Sequence, residues 1–387
     1  MKSLNIPCPQ EARLKQRAWV EIDLGALAHN IKQLKNILSE NTQLMAVVKA
    51  DAYGHGAVNV AKVALDSGAS WLAIATIEEG IELRKAGITA PILILGATNS
   101  AAEVKAIWEW QLQPTICSLV QAEVFAQTLA SLGGELPVHI KLDTGMSRLG
   151  FPWQTAVTVV EKIQRLPGLK IFSVYSHLAT ADQLDNTILQ LQQQRFQQAI
   201  SSLAKAKISI PLQHLANCAA VLTSREFDYD LVRTGLAMYG LSPAPHLADK
   251  VDLKPVLSVK ARITQIKTIP AGQGVSYGYQ FIAQQATAIA IVGIGYADGV
   301  PRNLSNNLEV IIRGQKVEQI GAITMDQLIL NVAKLPELQV GEIVTLLGKD
   351  GDIQITADEW ANKLNTISWE ILCGFKHRLP RITLSQS

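Results

Sequence analysis

Short apolar, β-branched runs alternate with longer helical patterns from residue 44 to about residue 240, and this alternation constrains the fold most. Eight runs read as strands: LMAVVK at 44, WLAIAT at 71, PILILGA at 91, QPTICS at 113, PVHIKL at 137, KIFSVYS at 170, PLQHLA at 211 and LVRTGLAMYG at 231. Between them lie helical segments such as VQAEVFAQTLASLGG, whose closing glycines indicate a helix end. Eight strands separated by helices favour an α/β fold of the (β/α)8 TIM-like barrel type, with a doubly wound sheet as the competing arrangement.

The pattern changes after residue 245, where strands and turns replace the alternation. The runs VLSVKARITQIKTI, ATAIAIVGIG, LEVIIRG, LILNVA and EIVTLLG read as strands, and only TADEWANKLN reads as a helix, with Thr356 as its N-cap. We therefore predict a barrel over residues 1–245 and a mostly β C-terminal domain over residues 246–387. The first strand, near residues 17–24, is a candidate member of the β domain.

Composition and charge exclude several classes of protein. The formal net charge is +2 without a long run of Lys or Arg, which argues against nucleic acid or an anionic membrane as a partner. The longest apolar run, ATAIAIVGIGYA, is too short to span a bilayer, and the N-terminus lacks the apolar core of a secretory signal. The cysteines are widely spaced, as reduced thiols usually are: Cys8, Cys117, Cys218 and Cys373. We expect a soluble, cytoplasmic protein.

Reactive side chains stand where the predicted strands end, which is where barrel enzymes build their active sites. They are Lys49, Tyr53, Arg148, His177, His214, Asn217, Cys218, Arg233 and Gly235. The residues after strands seven and eight suit a phosphate group, an arginine suits a carboxylate, and Lys49 ends an apolar run where an unused lysine is costly. Pyridoxal 5'-phosphate (PLP), held as a Schiff base on Lys49, unites these parts.

Seven motifs occur in order between residues 17 and 326: RAWVEIDLGALAHN, MAVVKADAYGHG, KLDTGMSRLGF, VRTGLAMYGLSP, GVSYG, VGIGYADG and ITMDQ. Together with RLPR near the C-terminus, they make the chain similar to the alanine racemase family across almost its whole length. The resemblance implies a PLP-dependent isomerase that interconverts L- and D-alanine and supplies D-alanine for peptidoglycan synthesis. It also implies a homodimer in which each active site borrows residues from the partner's β domain.

The resemblance assigns two bases to opposite faces of the substrate. Lys49 serves one face, and Tyr277 of the other subunit serves the second. Tyrosine needs positive neighbours to act as a base at neutral pH, and a hydrogen-bonded chain of His177 and Arg233 supplies them. Arg233 also faces the pyridine nitrogen and disfavours its protonation, which weakens the ring as an electron sink and suppresses transamination.

The substrate end of the site follows from the same resemblance. Arg148 binds the substrate carboxylate, and Tyr296, Met325 and Asp326 complete that end. Lys141 matches a lysine that several members of the family carry as a carbamate. A negative carbamate would hold the Arg148 guanidinium in place, and an unmodified lysine is the alternative.

The cofactor-binding residues that the resemblance implies are Lys49, Tyr53, His177, Asn217, Cys218, Arg233, Gly235, Leu236 and His377. Two of them depart from the family's common pattern. Cys218 stands where a phosphate-binding serine is usual, and His377 where a tyrosine often reaches the phosphate. A thiol is a poorer donor than a hydroxyl, so Tyr53 and the amides near Gly235 are candidates to carry the phosphate instead.

Single features of the sequence also suggest other functions. AIAIVGIGYADG suggests a nicotinamide site, but its third glycine is one residue late and VPRNLSNN follows where a helix should begin. A non-enzymatic PLP-binding protein would lack the β domain. A serine or broad-specificity racemase stays open, because a small pocket selects weakly against one extra hydroxyl. The sequence has no metal-binding motif, so we expect no metal site.

Overall fold

The protein is described by a computed structural model that covers residues 16–384. Cys8 and the N-terminal segment that lacks a signal-like core lie outside these residues. The chain divides into two compact units. The barrel unit consists of Ala26–Ala52 and Gly56–Lys254, and the β unit consists of Tyr53–His55 with the described parts of Met1–Gly25 and Pro255–Ser387.

Strands and helices alternate in the first part of the chain. In order they are β1 (Ala18–Asp23), α1 (Leu24–Ile37), β2 (Gln43–Val47), α2 (Lys49–Gly54), α3 (Ala57–Asp66), β3 (Trp71–Ile74), α4 (Ile77–Lys85), β4 (Ile92–Ile94), α5 (Ala101–Glu109), β5 (Gln113–Ile116), α6 (Leu119–Leu132), β6 (Leu136–Asp143), β7 (Phe151–Pro152), α7 (Ala156–Gln164), β8 (Leu169–Tyr175), α8 (Thr187–Lys205), β9 (Leu212–His214), α9 (Cys218–Thr223) and β10 (Leu231–Thr234).

The second part is mostly β. Its elements are β11 (Leu257–Ile269), β12 (Gly274–Val275), β13 (Phe281–Ile282), β14 (Thr287–Val292), β15 (Glu309–Ile312), β16 (Gln315–Glu318), β17 (Leu328–Asn331), β18 (Ile343–Asp350), β19 (Ile353–Ile355), α10 (Ala357–Leu364), α11 (Ser368–Gly374) and β20 (Arg381–Leu384). Single 3₁₀ turns occupy Trp153–Thr155, Arg225–Phe227, Leu236–Tyr239, Pro245–Lys250, Tyr277–Tyr279, Tyr296–Asp298 and Arg302–Leu304.

The eight strands predicted between residues 44 and 240 form one parallel sheet in the order β10-β2-β3-β4-β5-β6-β8-β9. The two edge strands approach each other: the Asp230 amide donates to the Gln213 carbonyl and the Arg233 amide to the Ala216 carbonyl, each at 3.1 Å. The sheet is thus a nearly closed barrel, which confirms the prediction and rejects the doubly wound alternative.

Local sequence explains where the barrel's elements begin and end. Ile92, Leu93 and Ile94 of β4 are completely buried, as expected for a parallel strand covered on both faces. Capping boxes start α4 at Thr76 and α5 at Ser100, because each hydroxyl accepts an amide three residues on while a glutamate reaches back.

β1 joins the β unit although about 230 residues separate it from its neighbour in sequence. It pairs antiparallel with β11, Ala18 opposite Ala261, and parallel with β20, Val20 opposite Arg381. The sheet continues as β16-β15-β18-β11-β1-β20, with β14 bonded to β11 and β17. The five strands predicted after residue 245 correspond to β11, β14, β15, β17 and β18.

The prediction of a single C-terminal helix was incomplete. α10 begins after the Thr356 N-cap as expected, with a capping box to Glu359. α11 was missed, because its seven residues, SWEILCG, are too few for a clear helical period and its N-cap, Ile367, makes no side-chain cap. Over residues 16–384, none of the helices has the length and apolar character needed to cross a membrane.

Candidate active site

Lys49 opens a left-handed helical turn immediately beyond β2. The φ angles of Ala50, Asp51, Ala52 and Tyr53 lie between +52° and +54°, and that of Gly54 is +79°. Left-handed backbone costs roughly 1–2 kcal/mol for each L-residue other than glycine. Four such residues in succession make the backbone strained, so contacts with the surrounding structure must stabilise the turn. Backbone strain of this kind is concentrated at functional sites.

Several hydrogen bonds hold this turn. Within it, the Ala52 amide donates to the Val48 carbonyl at 2.9 Å. Asp51 Oδ1 accepts from the Ala57 amide at 2.8 Å, and Glu79 Oε1 accepts from the Ala50 amide at 2.6 Å. Glu79 also closes the capping box of α4, so one carboxylate fixes both the helix start and the residue next to Lys49.

The C-terminal motif RLPR supports the far end of the same turn. Arg381 Nε donates to the Gly54 carbonyl at 3.1 Å, and the same guanidinium donates to the carbonyls of Phe375 and Leu379. A side chain at Gly54 would meet the Leu372 carbonyl oxygen at 2.8 Å. Glycine at this position therefore satisfies both the positive φ and the close backbone approach.

Arg233, at the end of β10, is held by the two neighbouring strand ends. Its Nη1 donates to His214 Nδ1 at 2.7 Å, and its Nη2 donates to the carbonyls of Ser176 (2.7 Å) and Leu215 (2.9 Å), with His177 Nδ1 at 3.3 Å. The side chain is 3% exposed, and burial lowers its pKa to about 10, so it stays charged at neutral pH. Its Nε–H makes no hydrogen bond with any of residues 16–384.

Positive side chains converge on His177 at the mouth of the barrel. Burial lowers the pKa of His177 well below its usual value, and the charges of Arg233, Lys141, Arg148 and Lys49 lower it further, in that order. His177 is therefore neutral at pH 7. Its Nδ1 accepts from Arg233, which leaves its Nε2 as a donor.

Lys141 is a buried amine without a hydrogen-bond partner in the described part of the chain. It is 5% exposed, and its Nζ lies 5.5 Å from the centre of the Tyr175 ring. Burial, followed by the charges of Arg233 and Arg148, lowers its pKa to about 8. A large fraction of this amine is consequently neutral at slightly alkaline pH.

The loop that carries Arg148 is shaped by Asp143 at the end of β6. Asp143 Oδ1 accepts from the amides of Gly145, Met146 and Ser147 at 2.9, 3.0 and 3.1 Å. This tight turn presents Arg148 as an exposed side chain. The hydrogen bonds to this carboxylate oxygen thus come from its own loop.

Backbone amides surround Cys218 at the ends of strands β9 and β10. The Gly235 amide donates to Cys218 Sγ at 2.8 Å, and the amides of Leu236 and Ala237 point at the same sulfur. Burial raises the pKa of the Cys218 thiol. Asn217 caps α9 by accepting from the Ala220 amide at 3.1 Å.

In the β unit, Tyr277 projects from the tip of a strained hairpin. It is 71% exposed and stands between Ser276 (φ +62°) and Gly278 (φ +72°). Ser276 Oγ donates to the Ala322 carbonyl at 2.7 Å and ties the tip to the sheet. Tyr279 is also largely exposed.

Tyr296 and Met325 are held side by side. The Tyr296 amide donates to the Thr324 carbonyl at 2.9 Å, and the Ala297 amide to the Met325 carbonyl at 3.0 Å. Any side chain at Gly295 would clash with the Thr324 carbonyl oxygen, so glycine is required for this contact.

An ion-pair network continues from this contact. Arg378 pairs with Asp326 and approaches the buried Asp298 at 3.5 Å, and Asp298 binds Arg17 through both carboxylate oxygens at 2.7 and 2.9 Å. His377, next to Arg378, is exposed.

The structure thus brings the barrel residues predicted from sequence to one end of the barrel, and the β-unit residues Tyr296, Met325 and Asp326 to one surface. Sequence reasoning did not give roles to His214, Tyr175 or Ser176. His214 was visible as a strand-end residue, but the stacking of its ring on Tyr175, at 4.5 Å and 3°, depends on strand register.

Comparison with known proteins agrees with this architecture. The family model described as "Alanine racemase, N-terminal domain" matches residues 22–243, and "Alanine racemase, C-terminal domain" matches residues 256–383. The alanine racemase of Synechocystis sp. is 62% identical over 371 residues, covering 96% of this chain and 100% of that protein. The alanine racemase of Nostoc sp. is 62% identical over 377 residues, covering 97% of this chain and 98% of that protein.

Solved structures give the same result. The alanine racemase of Clostridium difficile 630 superposes with a TM-score of 0.91 at 34% identity, covering 96% of each chain. That of Bacillus anthracis with bound L-Ala-P superposes with a TM-score of 0.90 at 35% identity, covering 96% of this chain and 95% of that one. With both family models matched in order along nearly its entire length, the chain belongs to the alanine racemase family.

Proposed function

We propose that the chain interconverts L- and D-alanine with PLP attached covalently to Lys49 Nζ. The observation that carries the proposal is the group of four cations around His177, with an Arg233 Nε–H that the described residues leave unused. A site of this charge fits an anionic cofactor and an anionic amino-acid carboxylate together. When bound, PLP would supply a conjugated ring that acidifies the α C–H of an attached amino acid.

The residues present fit the two ends of PLP. Arg233 would donate its Nε–H to the pyridine nitrogen, and because guanidinium keeps its protons, the nitrogen would remain unprotonated. The amides of Cys218, Gly235 and Leu236 would hold the phosphate, since those of Gly235 and Leu236 already converge on Cys218 Sγ. Tyr53, Asn217 and His377 complete the proposed cofactor site.

Proton transfer would use one base on each face of the substrate. Lys49 would remove the α-proton of D-alanine, and Tyr277 of the partner subunit would remove that of L-alanine. The neutral His177 offers its Nε2–H to the phenolate oxygen, and Arg233 behind it disfavours a second proton on the imidazole. This arrangement stabilises the deprotonated tyrosine as a base.

Arg148 would bind the substrate carboxylate, beside Tyr296, Met325 and Asp326 of the partner subunit. Lys141 would carry a carbamate, because carbamylation requires a neutral amine and burial lowers the pKa of this one to about 8. The carbamate would place a negative group close to the cations, and it would orient the Arg148 guanidinium.

A homodimer is part of this proposal. The β unit exposes a group of large apolar side chains, Tyr277, Tyr279, Ile282, Tyr296 and Met325, between 42% and 71% exposed. Large exposed apolar side chains of this kind are typical of protein interaction surfaces. We infer that they enter a partner's barrel mouth, and that the enzyme works in the cytoplasm, where it supplies D-alanine for peptidoglycan.

One experiment tests substrate and cofactor together. The purified protein is assayed for racemisation of alanine, serine, lysine and arginine, then reduced with borohydride and digested. We expect alanine to be the preferred substrate and the reduced pyridoxyl group to be on Lys49. A preference for serine, or equal activity on several amino acids, would contradict alanine as the substrate. A label on another lysine, or no label, would refute the cofactor site.

A further inference from the structure

Behind Arg233 a chain of buried polar groups crosses the barrel interior. His214 Nε2 lies 3.0 Å from Ser173 Oγ, Ser173 Oγ lies 2.6 Å from His139 Nδ1, and His139 Nε2 lies 2.8 Å from Gln113 Oε1. His214, Ser173 and His139 are completely buried. The chain runs from the end of β10 to Gln113 at the start of β5, through side chains that the catalytic proposal does not use.

The direction of every hydrogen bond in this chain follows from Arg233. Guanidinium has donors only, so His214 Nδ1 must accept from Nη1, and the neutral ring then carries its proton on Nε2. That proton is donated to Ser173 Oγ. Burial is the main reason that the pKa of His214 lies well below its usual value, with Arg233 and His139 adding to it, so the ring is neutral.

The Ser173 hydroxyl determines which ring nitrogen of His139 carries the proton. Its oxygen already accepts from His214, and residues 16–384 offer its hydrogen no acceptor other than His139 Nδ1. His139, whose pKa burial lowers to about 3, is neutral and must therefore hold its proton on Nε2. Gln113 Oε1 accepts that proton and ends the chain.

Ring contacts keep both histidines in this orientation. His214 stacks on Tyr175 with 4.5 Å between ring centres, and His139 meets Trp71 edge-on at 5.6 Å and Phe172 at 5.7 Å. These contacts fix the plane of each ring, and a ring flipped by 180° within that plane would point carbon atoms at its polar partners.

We propose that Ser173, His139 and Gln113 are positioning residues that fix His214 in its Nε2–H tautomer, so that Arg233 stays anchored with its Nε–H directed at the cofactor. The opposite tautomer would place an N–H against the guanidinium and displace it. The effect on the cofactor rests on the proposed function, whereas the assignment of the two tautomers does not.

Neutron diffraction from deuterium-exchanged crystals of the protein tests the tautomers directly. We expect deuterium on Nε2 and none on Nδ1 of both His139 and His214. Deuterium on Nδ1 of either ring would overturn the proposal, whatever the protein's activity. Conversely, absence of racemisation by the unaltered protein would refute the proposed function, but the deuterium positions on His139 and His214 could still be determined from the neutron map.

Ser173→Ala tests the positioning role, with Thr42→Val as the matched control. Each variant removes one buried hydroxyl from the barrel unit, but the Thr42 hydroxyl donates to the Tyr229 carbonyl, away from Arg233. We expect Ser173→Ala to lower kcat about 3- to 10-fold with an unchanged KM for alanine and to release more pyruvate per racemisation turnover. Equal kinetics and equal pyruvate release in the two variants would overturn the positioning role.

Discussion

Arg233 keeps its charge although its side chain is almost completely buried. The ends of two neighbouring strands supply its acceptors, and the neighbouring histidines are neutral, so no carboxylate competes for the guanidinium. An acidic residue in its place would favour protonation of a pyridine nitrogen, and an arginine disfavours it. In the proposed function, the arginine at this position would therefore favour brief proton exchange over transamination.

Cys218 is one of the two residues, with His377, at which we expect the proposed phosphate site to depart from the family's common pattern. Cys218→Ser places a stronger donor among the amides of Gly235 and Leu236, so we expect PLP retention to be equal or tighter. The dissociation constant of PLP, measured by absorbance after dialysis, checks this. A large loss of cofactor would mean that the thiol has a role that a hydroxyl cannot fill.

Lys141 makes the proposed carbamate depend on pH. Its pKa of about 8 means that the neutral, reactive amine dominates above pH 8 and falls about tenfold for each pH unit below it. With ¹³C-bicarbonate we expect a carbamate carbon signal that is strong at pH 8.5 and weak at pH 6. Lys141→Met should remove that signal; its persistence in the variant would place the carbamate elsewhere.

At the scale of elements, the left-handed turn α2 stores strain beside Lys49. Ala50 is exposed with φ +54°, so Ala50→Gly relieves strain without removing a buried side chain. We expect a gain of about 0.5–1 kcal/mol in the free energy of unfolding, since the relief exceeds the extra entropy of glycine.

Ala130→Gly is the control, because Ala130 is exposed in the right-handed helix α6. There we expect a loss of about 0.5–1 kcal/mol. The free energy of unfolding of both variants is measured by urea denaturation. If Ala50→Gly destabilises the protein as much as the control does, the turn is unstrained.

The strands of the barrel were predictable from sequence, and the turn was not. Apolar runs such as LMAVVK specify buried strands by themselves. Nothing in the sequence KADAY indicates left-handed backbone, because neither alanine nor aspartate prefers that conformation by itself. Its geometry is held by Glu79, 29 residues after Ala50, and by Arg381 near the C-terminus.

The chain of histidines was hidden for a similar reason. Ser173 lies opposite His139 on β6 only because the register shifts between Val138 and His139. Periodicity locates a strand but not a register irregularity. By contrast, the catalytic candidates at strand ends, such as Lys49 and Arg233, were identified because barrel topology brings all strand ends to one place.

For the molecule as a whole, the proposal requires that one active site draw residues from two subunits. Mixing Lys49→Ala with Tyr277→Phe tests this requirement. Each variant alone should be nearly inactive, but a heterodimer would contain one site with both bases intact. After reassociation of equal amounts, about a quarter of the unaltered activity should return. No recovery, with heterodimers demonstrated by mass, would place both bases in the same subunit.

Solvent exchange in Tyr277→Phe is the most direct test of two bases on opposite faces. The substitution keeps the ring and removes the phenol oxygen. In D₂O, deuterium should still enter D-alanine at its α-carbon through Lys49, while exchange into L-alanine falls by on the order of 10²–10⁴-fold. Equal exchange into both enantiomers would mean that one base serves both faces, and the two-base account would be wrong.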